Sequence, residues 1–260
     1  MRRAGLLVAG LTCIVTASPA LPQRVTIVAH RGLAEGVPEN TLAAFRQSIA
    51  RGIAVIEVDV RVTSDGRLVI LHDLTLERTT DCSGSVSTFT LARLKACDAG
   101  RPTHQGERVP TLGEAVALAD RSPTRLLLDV KPGTPLDKVI AEIRNLHAEP
   151  IVILGLRRTD HVADARAALP GVTILAFMPK AGQAQAFARA GADIIRLWSD
   201  WVEANPALVA HTRALGPAVW VMVGRRLPAN PADWRALHAR MLATRPQGLI
   251  TDRPELTSSP

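Results

Sequence analysis

The chain has 260 residues, 47% of them hydrophobic and 21% charged; this fits one large domain or two small ones with a substantial core and excludes a disordered chain. Aromatic residues make up only 3% and tyrosine is absent, which argues against binding single-stranded nucleic acid by stacking on rings. The formal net charge of +7 reflects an arginine-rich composition whose field favours phosphorylated or anionic substrates, but no Lys/Arg run marks a nucleic-acid arm.

The N-terminus reads as a targeting segment. Arg2 and Arg3 precede an almost wholly apolar stretch over 6–15, and Ser18-Pro19-Ala20 offers small residues for cleavage. The apolar run is too short to span a bilayer. Residues ~1–20 are therefore expected to be a removed secretory signal, leaving 21–260 as one domain, exported to the periplasm or secreted, with no stable membrane insertion. Cys13 lacks a lipoprotein pattern, with Gly10 three before it and Thr12 just before it. In an oxidising compartment Cys82 and Cys97 are expected to form one disulfide. Neither sits in a C-x-x-C or His-rich pattern, so zinc is not expected.

Beyond the leader, short apolar runs of strand type alternate with helix-like runs. Strands are predicted over 25–29, 54–60, 125–131, 151–156, 172–177, 194–198, 218–223 and 248–251, and helices over 41–50, 112–120, 136–146, 161–168, 181–190, 206–215 and 234–243. Asn40 and Thr111 are candidate N-caps, with Gly52 and Gly191 as stops. Eight strands separated by helices predict a (β/α)8 TIM barrel. Residues ~61–110 lack strong helical periodicity, contain turn signals at Asp81 to Gly84 and His104 to Gly106, and are expected to form a small insertion capping the barrel mouth.

The chemistry gathers in the first half. His30-Arg31-Gly32 follows the first strand, Pro38-Glu39-Asn40-Thr41 precedes the first helix, and Glu57 and Asp59 lie two apart in the second strand, so both carboxylates face one way. Thr63-Ser64-Asp65-Gly66 is a turn signal after which Leu68 to Leu71 leads to His72-Asp73. A hairpin centred on Ser64-Asp65 would set His72 roughly opposite Glu57. Asp129 and Lys131 end the third strand, again two apart. In a barrel of this kind these residues collect at the C-terminal strand ends, where active sites lie. Glu57, Asp59 and Asp129 offer oxygen ligands suited to one divalent cation, Mg²⁺ or Ca²⁺. His30 and His72 are candidate acid–base groups, and Arg31 and Lys131 candidate phosphate-binding cations.

The order H-R-G, P-E-N-T, E-x-D-V, T-x-D-G and H-D-x-T-L-E-R-T-T resembles the glycerophosphodiester phosphodiesterase family. The likeness runs densely through ~25–131 and returns at Gly248 to Pro254. It implies hydrolysis of a small-molecule glycerophosphodiester to glycerol 3-phosphate and an alcohol. The substrate's own hydroxyl would attack phosphorus to give a cyclic phosphate, with His30 taken as base and His72 as acid. Two departures stand out. The family's Glu-x-Lys is Asp129-x-Lys131, and its W-T-V-N segment reads Trp220-Val221-Met222-Val223. Val223 is thus expected to leave a glycerol-side contact unmade, while Trp220 and Trp198 are candidate substrate-pocket residues. A phospholipase D-like activity on lysophospholipid or sphingolipid is the alternative, favoured by an apolar, tryptophan-rimmed mouth. An exported phosphate-headgroup-binding protein without catalysis is a third.

Overall fold

The computed structural model describes residues 25–32, 36–100, 105–224 and 228–257. The expected signal segment, with Cys13, and His104 lie outside the described residues. In chain order the elements are β1 (Thr26–Ala29), α1 (Leu42–Ala50), β2 (Val55–Val62), β3 (Leu68–Ile70), α2 (Leu91–Ala96), α3 (Leu112–Ala119), β4 (Arg125–Val130), α4 (Leu136–Asn145), β5 (Val152–Leu156), α5 (Thr159–Ala168), β6 (Thr173–Ala176), α6 (Ala184–Arg189), β7 (Ile194–Trp198), α7 (Ser199–Ala204), α8 (Leu208–Arg213), β8 (Ala218–Met222), α9 (Pro231–Ala243) and β9 (Gly248–Thr251). Each predicted barrel strand is present.

Pairing runs β1-β9-β8-β7-β6-β5-β4-β2 and closes through β1–β2, with every barrel pair parallel. The sheet is therefore a closed eight-stranded (β/α)8 barrel among the described residues. The period of two along each strand separates two cores. Outward residues such as Ile56, Val58, Leu126, Leu128, Val219, Val221 and Val223 pack under the helices. Inward residues Val28, Val55, Leu127, Ile153, Leu175, Ile194, Trp220 and Ile250 fill the barrel's interior. The continuously apolar strand sequences follow from burial on both faces.

The insertion leaves the barrel at the end of β2, which pairs antiparallel with β3 through Val60↔Ile70, Arg61↔Val69 and Val62↔Leu68. This register is one residue out of step with the expected one, because the turn is centred on Asp65: Thr63 N–H donates to Arg67 O, and Gly66 N–H to Thr63 O. Continued onward, the register sets His72 against Val58, not Glu57. The insertion also contains α2, which the sequence pattern missed; six residues are too few to display a helical period, although Thr90 caps it by accepting from Arg93 N–H. Helix α7 was missed for the same reason.

Val69, Leu71, Leu76, Val86, Phe89, Leu94, Ala99 and Val109 give the insertion its own small core. The Cys82–Cys97 disulfide closes this core, with a sequence separation of 15 and Cys97 fully buried. Closing a loop of this length is worth ~3 kcal/mol in the chain-entropy model. Non-reducing peptide mapping should recover the Cys82–Cys97 pair, and the double Cys→Ala variant should lose stability of that order in a denaturant titration. Two freely alkylated thiols in the native protein would contradict the assignment.

Candidate active site

The strand ends carry the inward alternation one layer further, and there it turns polar. Above Val28, Val55, Leu127, Ile153, Leu175, Ile194 and Ile250 come His30, Glu57 with Asp59, Asp129 with Lys131, Arg157, Phe177, Arg196 with Trp198, and Asp252. His30, Arg31, His72, Asp129, Lys131 and Trp198 line one cavity of about 320 Å³ at this end of the barrel. A larger, mostly apolar cavity of about 700 Å³ lies outside the barrel, by Val202, Ala207 and Met241. It contains none of the predicted acid–base or metal-ligating groups.

Tight local geometry builds the first motif. Arg31 adopts φ 57, in the left-handed region, and its N–H donates to Glu57 Oε2 at 3.0 Å. Gly32 follows at φ +69, where an added Cβ would meet the Phe45 ring at 2.6 Å, so the sequence needs glycine there. Asn40 is not the helix cap. Thr41 caps α1 by accepting from Ala44 N–H, while Asn40, at φ 55, donates from Nδ2 to Asp59 Oδ2 at 2.7 Å. Asn40 is thus a support for the acidic cluster.

Glu57, Asp59 and Asp129 are all buried, and one oxygen from each lies within 4.8 Å of the others. Parallel register puts Asp59 beside Asp129. Lys131 Nζ sits between them, 2.5 Å from Asp59 Oδ1 and 2.6 Å from Asp129 Oδ2. Arg157, on the end of β5, grips both oxygens of Asp129 and the Val130 carbonyl. Burial raises the Asp59 carboxyl, but Lys131 and Arg31 outweigh it and hold the group below its ordinary value. Glu57 goes the other way. Burial, then the Asp59 charge, pushes it up to about 8, and its Oε1 is buried with no hydrogen-bond partner among the described residues. An all-oxygen cluster with an orphaned acceptor on Glu57 fits a divalent cation.

Each histidine is oriented by a carboxylate at Nδ1. His30 Nδ1–H donates to Asp252 Oδ1, and its Nε2 lies 3.8 Å from Glu57 Oε2. Burial alone would push His30 down, but Glu57 and Asp252 prevail and raise it above the ordinary imidazole value. His72 Nδ1 meets Asp73 Oδ1 at 2.7 Å, and Arg61 donates twice to the His72 carbonyl. Burial lowers His72, aided by Lys131 and Arg31, and outweighs the Asp59 and Asp73 carboxylates. Arg78 links Asp73 to Glu39, and Glu39 in turn holds Arg31 at 2.9 Å. One chain of ion pairs therefore joins the two histidine motifs.

Two expectations need correction. Trp220 does not line the cavity: it is buried in the barrel interior, against Gly248. Val223 faces the outer helical layer, since strand alternation turns it away from the mouth and presents Met222 and Gly224 instead. Arg157, Arg196 and Asp252 were not singled out beforehand. Their signal was available as a charged residue two beyond an inward apolar one: Gly155 to Arg157, Ile194 to Arg196 and Ile250 to Asp252.

The model of the glycerophosphoryl diester phosphodiesterase family matches residues 30–145. A glycerophosphodiester phosphodiesterase of Caldanaerobacter subterraneus subsp. tengcongensis is 36% identical over 159 residues, covering 58% of this chain and 65% of that protein. Glycerophosphodiester phosphodiesterase 1 of Mus musculus is 36% identical over 156 residues, covering 53% and 46%. The chain thus spans less than two thirds of the length of these curated relatives. A glycerophosphodiester phosphodiesterase structure from Agrobacterium tumefaciens str. C58 superposes with a TM-score of 0.75 at 25% identity, covering 90% of this chain and 99% of that one. An Oleispira antarctica phosphodiesterase, solved with its product sn-glycerol-3-phosphate, shares the fold at a TM-score of 0.74 and 23% identity, covering 89% and 94%.

The opposed shifts of the two histidines are measurable. By NMR titration of the imidazole resonances, His30 should titrate above and His72 below the ordinary histidine value. Asp252→Asn should move the His30 midpoint down, because it removes a carboxylate that favours the imidazolium, and should leave His72 in place. Coincident midpoints, or an unmoved His30 in the variant, would contradict the geometry.

Proposed function

We propose that this chain, whose residues 30–145 match the glycerophosphoryl diester phosphodiesterase family, hydrolyses glycerophosphodiesters to glycerol 3-phosphate and an alcohol. The observation that carries this reading is the pair of carboxylate-buttressed histidines, His30 and His72, lining one cavity with the acidic cluster at its edge. The sn-glycerol-3-phosphate held by the Oleispira antarctica phosphodiesterase supports the same product class. An acid–base pair supplies typically 10²–10⁴-fold per positioned group.

The residues suggest a sequence of proton movements. His72, disposed to be neutral, takes the proton from the substrate glycerol's hydroxyl as that oxygen bonds to phosphorus. His30, whose Nδ1 is held by the Asp252 carboxylate, gives its proton to the departing alcohol as the P–O bond breaks. This reverses the order first expected from sequence. The cyclic phosphate is then opened by water: His30 removes the water's proton, and His72 returns one to the glycerol oxygen. Arg31 and Lys131 offset charge on the phosphate oxygens. Glu57, Asp59 and Asp129 would hold a single Mg²⁺ or Ca²⁺, which when bound would withdraw further charge from the phosphate.

The lysolipid reading called for an apolar mouth rimmed by tryptophans. Trp198 is at the cavity but lies under the Arg196 guanidinium, and Trp220 is inside the barrel, so the small-diester reading is preferred. No described helix is long and apolar enough to cross a membrane. Export to the periplasm or medium remains our proposal for the cellular location, supported by the leader-like sequence and the disulfide.

The purified protein should release glycerol 3-phosphate from a panel of glycerophosphodiesters by mass spectrometry. Chelation should abolish turnover, and Mg²⁺ or Ca²⁺ should restore it. Full activity in chelated, metal-free protein would reject metal dependence. His30→Ala and His72→Ala should each cost roughly 10²-fold or more in kcat with folding retained; near-normal turnover in both would reject the acid–base assignment.

A further inference from the structure

The proposed reaction depends on where Asp252 points, because its carboxylate receives His30 Nδ1–H. That carboxylate makes no other hydrogen bond among the described residues. Its aim is therefore set by the backbone that carries it. The last registered pair of β1 and β9 is Ala29↔Thr251, so His30 and Asp252 leave the closed sheet side by side. Beyond Asp252 the chain runs through Arg253 into the short helical segment Pro254–Leu256.

A histidine with no place in the proposed reaction stands behind that turn. His238, on α9, is buried, as is Thr251. His238 Nε2 lies 2.9 Å from Thr251 Oγ1, and Nδ1 lies 3.4 Å from the Leu256 carbonyl oxygen. The carbonyl can only accept, so Nδ1 carries the proton and donates to it. In a neutral ring Nε2 is then an acceptor, and the Thr251 hydroxyl donates to it. Thr251 Oγ1 in turn accepts from Arg253 N–H at 3.1 Å. This arrangement pairs both ring nitrogens and the hydroxyl.

Burial pushes the His238 imidazole below its ordinary value, outweighing the Leu256 carbonyl and Glu255, which favours the neutral ring. Trp234, one turn earlier on α9, packs its ring 5.5 Å from the imidazole with a tilt of 58° and holds it from the helix side. His238 thus spans the turn from Thr251, just before Asp252, to Leu256, beyond it.

We propose that His238 is a positioning residue for His30: from α9 it clamps the turn between Thr251 and Leu256 and so holds Asp252 at His30 Nδ1. The inference rests on the reading of His30 as an acid–base group of the glycerophosphodiesterase reaction. An apolar side chain would fill the same space, but it would leave the Thr251 hydroxyl and the Leu256 carbonyl without their partner and would free the turn. Small displacements are enough, since a misplacement of about 1 Å can cost about 10²-fold in rate.

Nitrogen NMR of the wild type at neutral pH should find the His238 proton on Nδ1, a measurement that needs no variant. His238→Leu should move the His30 Nδ1–H resonance upfield as the Asp252 contact loosens. It should also lower kcat for glycerol 3-phosphate release by roughly tenfold or more, with KM within roughly twofold. Thr251→Val, which keeps the shape and removes the hydroxyl, should do the same. His238→Gln, which offers Thr251 an acceptor again, should recover most of both signals. On top of Asp252→Asn, His238→Leu should cost roughly twofold or less, because the two act through one contact. Circular dichroism checks folding throughout. A His238 proton on Nε2, an unmoved His30 resonance in the folded leucine variant, or losses that multiply with Asp252→Asn overturns the inference alone. Absence of diester turnover by the wild type overturns the reading of function, and the His30 resonance in the variants then decides the positioning by itself.

Discussion

The structure is organised around three carboxylates that have no business being together unless something positive joins them. Glu57, Asp59 and Asp129 are buried within 4.8 Å of one another at the ends of β2 and β4. Two like charges 4 Å apart repel by about 4 kcal/mol even at an effective dielectric of 20. Lys131 between two of them, Arg157 on Asp129 and Arg31 beside Asp59 answer that repulsion. Glu57, without such a partner, is pushed up to about 8. A divalent cation would correct this imbalance, and the same positive groups suit the site to a phosphate ester.

The second constraint is that the two histidines come from separate structural units. His30 belongs to the barrel, and His72 to an insertion with its own small core and disulfide. The link between them is the chain Arg31–Glu39–Arg78–Asp73–His72. Arg78 is nearly half exposed, and exposed ion pairs are worth only about 0–1 kcal/mol each. Their contribution is orientation. The insertion buries Leu76, Val86 and Leu94 in its own core, and the ion pairs join that unit to the barrel mouth.

A third feature is the layering of the barrel interior. One layer is apolar in every strand, which stabilises the closed sheet. The positions two and four residues further along the strands hold His30, Glu57, Asp59, Asp129, Lys131, Arg157, Arg196 and Asp252. The strands across from His30 turn Arg157, Phe177, Arg196 and Trp198 towards the cavity.

Much of this was legible in the sequence because it depends on local periodicity. Alternating strand and helix runs specified the eight barrel strands, and the spacing of two placed Glu57 with Asp59, and Asp129 with Lys131, on shared faces. The histidine motifs needed only their positions at strand ends. Helices α2 and α7 were too short to show a period, and the β2–β3 register turned on a single residue of loop geometry. Which carboxylate orients His30, which arginine holds Asp129, that Asn40 serves Asp59 and that Trp220 lies inside the barrel were decided only by closure. Asp252 lies 222 residues from His30, and such pairs meet only because β9 closes against β1. The sequence by itself determined which residues each strand turns inward; the tertiary structure decided which of them touch, because contact between strands depends on the order and register of the closed sheet.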